Sequence, residues 1–162
     1  MDIAKLWQLA TPILEKNDFG VSHTQRVFKL AKEHFPVKPQ LQELTSAAII
    51  LHDIGGCTIK EQYEKGPSIA ESLLQQLACS KEFICEVCKI ICTHHDHPDS
   101  PTEPFRALYD ADKLVMFSLE EYPTYNSREG FDWKKIINLI YTQKGRDLAE
   151  KALRERRTEE RK

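Results

Sequence analysis

Apolar residues recur along this chain at three- and four-residue spacings almost from end to end, the pattern of one-sided helices. Ile3, Leu6, Trp7, Ala10 and Leu14 form such a stripe over residues 2–16, and Asn17-Asp18-Phe19-Gly20 breaks it. Ser22-x-x-Gln25 has the form of a capping box and opens a second helix. Its inward face carries Val27, Leu30, Ala31 and Phe35, with His23 one turn ahead of Val27. Pro36 and Pro39 bracket the connection to residues 43–56, where Ala47, Ala48, Ile49, Ile50 and Leu51 leave almost no polar face. A helix apolar all round belongs in the interior. This one delivers His52 and Asp53 side by side and stops at Gly55-Gly56.

Beyond Gly56 the pattern predicts a polar connector with a short turn over Ile59–Tyr63. A helix then restarts at Gly66-Pro67-Ser68, proline in its first turn, with Ile69, Ala70, Leu73, Leu74 and Leu77 as its apolar set. A fifth helix runs from Lys81 through Ile84, Val87 and Ile91 to His94-His95, followed by a loop over Asp96–Thr102 rich in turn formers. Phe105–Leu119 reads as a sixth helix, Tyr122–Gly130 as loop, Phe131–Tyr141 as a further helix, and Gly145 onward as a charged final one. No segment has the two-residue period of a strand. The expected fold is all-α, a compact multi-helix bundle.

Composition narrows the class. At 162 residues the chain fits one domain over 1–162. Its formal net charge of −2 provides no basic field for a nucleic-acid polymer. No run approaches the roughly 18 apolar residues of a membrane span, and Met-Asp-Ile-Ala-Lys-Leu-Trp lacks the form of a signal peptide, so a cytoplasmic setting is expected. Five cysteines are an odd number for a disulfide framework. Cys85, Cys88 and Cys92 have spacings found in zinc sites, but they sit at helical intervals, and core packing is the expectation over metal binding. The tail from Arg146 to Lys162 mixes both charge signs at helical spacings and reads as a solvated face.

Candidate chemistry appears when polar residues are set against these stripes. His23 is on the inward face of the second helix, His52-Asp53 end the buried third, and His94 continues the Val87 line. On the sixth helix Leu108, Ala111, Val115 and Leu119 form a stripe that contains Asp112, whereas Asp110 points about 160° away. Asp112 is therefore the expected inward carboxylate of the two. Imidazoles and carboxylates on four core faces are costly to bury unless a cation neutralises them. Mixed nitrogen and oxygen donors suit Mn, Fe, Mg, Co or Zn.

His23, then His52-Asp53-Ile-Gly, then Ala-Asp112-x-Leu closely resemble the ordered H…HD…D signature of the HD-domain superfamily of metal-dependent phosphohydrolases. The likeness spans about residues 20–120, leaving helices over 131–162 to pack on that core or extend from it. The resemblance implies an all-helical HD bundle in which His23, His52, Asp53 and Asp112 ligate one divalent ion. Additional histidines hold a second metal in many members. His94-His95 resembles one such element, but no histidine stands near the start of the Gly66-Pro67 helix, and Gly56 replaces a frequent lysine. A single ion is the expectation on those grounds. The activity implied is hydrolysis of a small phosphorylated metabolite, nucleotides among the candidates, by attack of metal-activated water on phosphorus. Asp53, His94 and His95 are the candidate catalytic groups, and Lys60, His97, Arg106 and Lys113 the candidate phosphate contacts. A binding module with little turnover and a metal-dependent oxidase are the alternatives. Oligomeric state is not legible.

Overall fold

The computed structural model describes residues 1–162 and contains nine α-helices and no strand. They are α1 (Ile3–Leu14), α2 (Gly20–His34), α3 (Gln42–Leu51), α4 (Ile59–Gln76), α5 (Lys81–Ile91), α6 (Glu103–Leu114), α7 (Tyr122–Asn126), α8 (Trp133–Leu139) and α9 (Gln143–Glu160). Single 3-10 turns precede α3, at Pro39–Leu41, and follow α6, at Val115–Phe117. The all-α expectation holds.

α3 is the spine because beyond its first turn, where Gln42 and Glu43 face water, nothing on it does. Every residue from Thr45 to Leu51 is buried. Two apolar clusters flank it: Ala48 and Ile49 enter one with α2, α6, α8 and α9, while Ala47, Ile50 and Leu51 enter the other with α1, α4 and α5. Burying the whole circumference of α3 fixes its end, and hence His52 and Asp53, at the centre of the molecule.

Several local expectations change. α4 does not restart at Gly66-Pro67 but runs unbroken from Ile59. Thr58 caps it: its hydroxyl accepts from the Glu61 amide at 3.1 Å and donates to the Glu61 carboxylate at 3.0 Å, an N-cap one segment earlier than the proline suggests. Tertiary packing keeps the helix intact through Pro67. A Cβ on Gly55 would lie 2.6 Å from the Glu61 carbonyl oxygen and 2.7 Å from the Gly66 nitrogen, so the turn after α3 rests directly on α4 backbone. The Ser22 capping box does not form, because α2 already begins at Gly20 and the Ser22 hydroxyl donates back to the Phe19 carbonyl. Leu119 is exposed rather than on a core stripe, since the chain turns extended at Ser118. Tyr122–Asn126, expected as loop, is the short helix α7. Cys85 is exposed and Cys88 and Cys92 are half-buried; only Cys88 packs against the core.

Asp110 is the main correction to the α6 register argument. It does point away from Asp112, yet it is fully buried. Its oxygens accept from the Tyr141 amide at 2.7 Å, the Thr142 amide at 3.0 Å and the Thr142 hydroxyl at 2.8 Å, tying α6 to the start of α9. Asp110→Ala would strand two amides in the interior, each costing about 1–3 kcal/mol. The expected outcome is a markedly lower thermal midpoint; a midpoint equal to wild type would show that this tie contributes nothing.

Candidate metal centre

Four elements deliver side chains to one point. His23 comes from the first turn of α2, His52 and Asp53 from the end of α3, His94 and His95 from just beyond α5, and Asp112 from α6. The Asp53 carbonyl is held by the Asn17 side-chain amide at 2.8 Å, which anchors the His-Asp turn to the α1–α2 loop.

Each buried imidazole has one nitrogen committed. His52 Nδ1 donates to the Ile49 carbonyl at 2.6 Å, and His94 Nδ1 donates to the Ile91 carbonyl at 2.7 Å. The acceptors are carbonyls, so in the neutral ring the proton sits on Nδ1 and Nε2 presents a lone pair. His23 Nδ1 contacts the Glu121 carboxylate at 2.9 Å. Glu121 is fully buried and also accepts from Arg26 at 2.8 Å. Its role went unseen in the sequence because it lies in a stretch with no helical stripe.

The three freed Nε2 atoms converge on carboxylates. His23 Nε2 lies 3.1 Å from Asp112 and 3.4 Å from Asp53. His52 Nε2 lies 3.4 Å from Asp53 and 3.5 Å from Asp112. His94 Nε2 lies 3.4 Å from the other Asp53 oxygen. The Nε2 atoms of His52 and His94 are buried and have no hydrogen-bond partner. Lone pairs facing carboxylates repel unless a positive charge stands between them, and a divalent cation fits this donor set. The donors fall into two groups that could each hold an ion: His23, His52 and Asp112, and Asp53, His94 and His95. No cysteine belongs to either. The second group weakens the expectation of a single ion, which rested on a missing histidine in α4.

Gln62 stands in that region of α4 instead. It is buried, donates to the Gly56 carbonyl at 3.1 Å, and accepts from His95 Nε2 at 2.7 Å. That amide orientation assigns the His95 proton to Nε2 and leaves Nδ1 as its donor atom.

Electrostatics follow the same geometry. Burial opposes protonation of His23, but the Asp112 and Glu121 carboxylates outweigh it and raise its pKa to about 9. His52 is likewise raised, with burial overcome by Asp53 and Asp112. Burial alone would raise Asp53 and Asp112; the imidazoles hold both well below the usual range. His95 goes the other way, lowered to about 4 by burial and by His94 beside it.

The cluster forms the floor of a cavity of about 370 Å³. His23, Asp53, His95 and Asp112 line it, together with Lys113, whose ammonium lies 5.1 Å from the Tyr109 ring centroid. Three of the expected phosphate contacts are not brought there. Lys60 is exposed on α4, His97 stacks on Tyr141 at 4.4 Å and bonds the Leu139 carbonyl, and Arg106 lines a separate groove beside Asp110.

A family model described as HD domain matches residues 20–116, more than half of the chain, and the chain belongs to the HD-domain family. No curated protein and no solved structure gives a match. No helix is long and apolar enough to cross a membrane.

In chelator, the raised His23 stabilises the fold fully below its unfolded pKa of 6.5, and that contribution is lost as pH rises through about 9. His52 has the same sign. The depressed Asp53 and Asp112 contribute above 3.8 and lose that contribution as pH falls further. The metal-free thermal midpoint is therefore expected to decline from pH 6.5 toward 9. Added Mn requires neutral imidazoles, so its stabilising shift should grow over the same interval. A metal-free midpoint that does not fall across this interval would contradict the assignment.

Proposed function

We propose that this HD-domain protein is a metal-dependent phosphohydrolase acting on a small phosphorylated metabolite. The observation that carries the reading is the set of Nε2 lone pairs, two of them buried without partners, facing carboxylates on the floor of a cavity. In this reading His23, His52, Asp53 and Asp112 hold a first divalent ion. Asp53, His94 and His95 would hold a second. The ion is one of Mn, Fe, Mg, Co or Zn, which take mixed nitrogen and oxygen donors. When bound, it supplies an acidified water and polarises a phosphoryl oxygen.

The chain's own residues supply the rest. Glu121 and the Ile49 and Ile91 carbonyls fix the imidazole tautomers so that each lone pair is already aimed inward. Gln62 does the same for His95. Lys113, on the cavity wall beside the donor cluster, is the cation that would meet phosphate charge there, with Arg128 on the same wall. An iron-dependent oxidase is the second reading, supported by the same two adjacent donor groups.

Elemental analysis and a panel of phosphate esters with Mn or Mg test the proposal on one preparation. Two equivalents of metal and ester turnover are expected. Asp112→Asn should lose the first ion and reduce turnover by about 10²-fold or more, whereas Asp110→Asn should keep its metal. His94→Gln should lower the stoichiometry from two toward one. A fully metallated protein that hydrolyses no ester yet consumes oxygen with iron would replace this function with the oxidase.

A further inference from the structure

The four imidazoles of the cluster are all held from behind, but not by the same kind of group. Backbone carbonyls hold His52 and His94, and the neutral Gln62 amide holds His95. Only His23 is backed by a charge: both oxygens of Glu121 lie against its Nδ1, at 2.9 and 3.1 Å. That carboxylate is fully buried, so solvent does little to dilute its field. Arg26 donates to it through Nε at 3.1 Å and Nη2 at 2.8 Å, which makes an anion tolerable there. Glu121 also lies beyond the stretch that the family model matches, which ends at residue 116.

The two donor groups therefore differ in charge. The first, His23, His52 and Asp112, has the Glu121 carboxylate behind one of its imidazoles. The second, Asp53, His94 and His95, has only neutral groups behind its imidazoles, and Lys113 lines the same cavity as His95. A carboxylate behind a ligating imidazole raises the basicity of the ring, and such outer partners are worth about 10–100-fold in metal affinity. A neutral amide orients the ring without adding charge, and an ammonium nearby opposes a further cation.

We propose that the two ions are held unequally. Glu121, acting through His23, makes the first a tightly bound resident, whereas the second group takes an exchangeable ion whose occupancy follows the free metal concentration. Glu121 and Gln62 are positioning residues, each acting through the imidazole it holds. This rests on the reading of the cluster as the metal centre of a hydrolase, and it gives that centre a control: the first ion stays with the fold, and the second sets how much of the protein is fully assembled.

The test is a calorimetric Mn titration of chelator-treated protein, with elemental analysis of the reloaded protein after desalting. Wild type should take up Mn in two steps about tenfold or more apart, retain one equivalent through desalting, and reach two only in excess Mn. Glu121→Gln should weaken the first step by about 10–100-fold and leave the second in place. Gln62→Ala should weaken the second step and leave the first. Arg26→Met separates charge from scaffolding. It breaks the same buried pair as Glu121→Gln, and both should lower the thermal midpoint, but it keeps the carboxylate and should bind the first ion at least as tightly as wild type. A first step weakened equally in Arg26→Met and Glu121→Gln would make Glu121 merely structural and overturn the proposal. Two equal steps in wild type would also overturn it, as would an unchanged first step in Glu121→Gln or an unchanged second in Gln62→Ala. None of these readouts uses an ester, so unequal steps with no ester hydrolysed would keep the inequality and remove the hydrolase, and hydrolysis with two equal ions would do the reverse.

Discussion

Three imidazole lone pairs and two carboxylates face one another in a nearly dry interior, and the rest of the molecule is arranged around that unfavourable meeting. The imidazoles of His52 and His94 cannot retreat to water, and the carboxylates reach it only through the cavity above them. His52 is at the end of a helix buried from Thr45 onward, His94 is buried, and Asp112 belongs to a helix packed against α2 and α3. The fold therefore requires positive charge at this point, supplied by protons when no cation is bound and by metal when one is. Stability and ion binding are two aspects of the same electrostatic requirement.

The helix ends reinforce it. His52 and His94 each donate Nδ1–H to the carbonyl three residues earlier, at or just past the C-termini of α3 and α5. The Ile49 carbonyl otherwise receives only a 3.4 Å bond from the His52 amide, so the imidazoles complete the helix ends and acquire the right tautomer in one contact. Both helices also bring the negative ends of their dipoles toward the cluster, which favours a cation further. One local device, used twice, orients two of the three buried nitrogen donors.

Much of this was legible in the sequence, for a physical reason: a polar residue on an apolar stripe must be buried, and the stripes of α2, α3, α5 and α6 are strong. His23, His52 and Asp112 were found that way. Residues whose positions depend on tertiary contact were not. Gln62 and Glu121 are ordinary polar letters until α4 packs on the turn at Gly55 and the chain after α6 folds back over His23. Asp110 was misjudged because the stripe argument recognises one interior, whereas α6 sits between the cluster and α9. α4 continued through Pro67 because backbone packing against Gly55 outweighed the local signal to break.

The short stretch from Glu121 to Arg128 has two ends with different surroundings. At one, a desolvated carboxylate braces His23 and Arg26, and almost no other side chain could replace it. At the other, a half-buried Tyr125 and an exposed Arg128 border solvent, where many side chains would fit. Only a turn of chain separates a fixed foundation from an interchangeable rim. Under the proposed function, selectivity can drift through point changes at the rim while the floor stays intact, so proteins sharing every one of these imidazoles and carboxylates need not share a substrate.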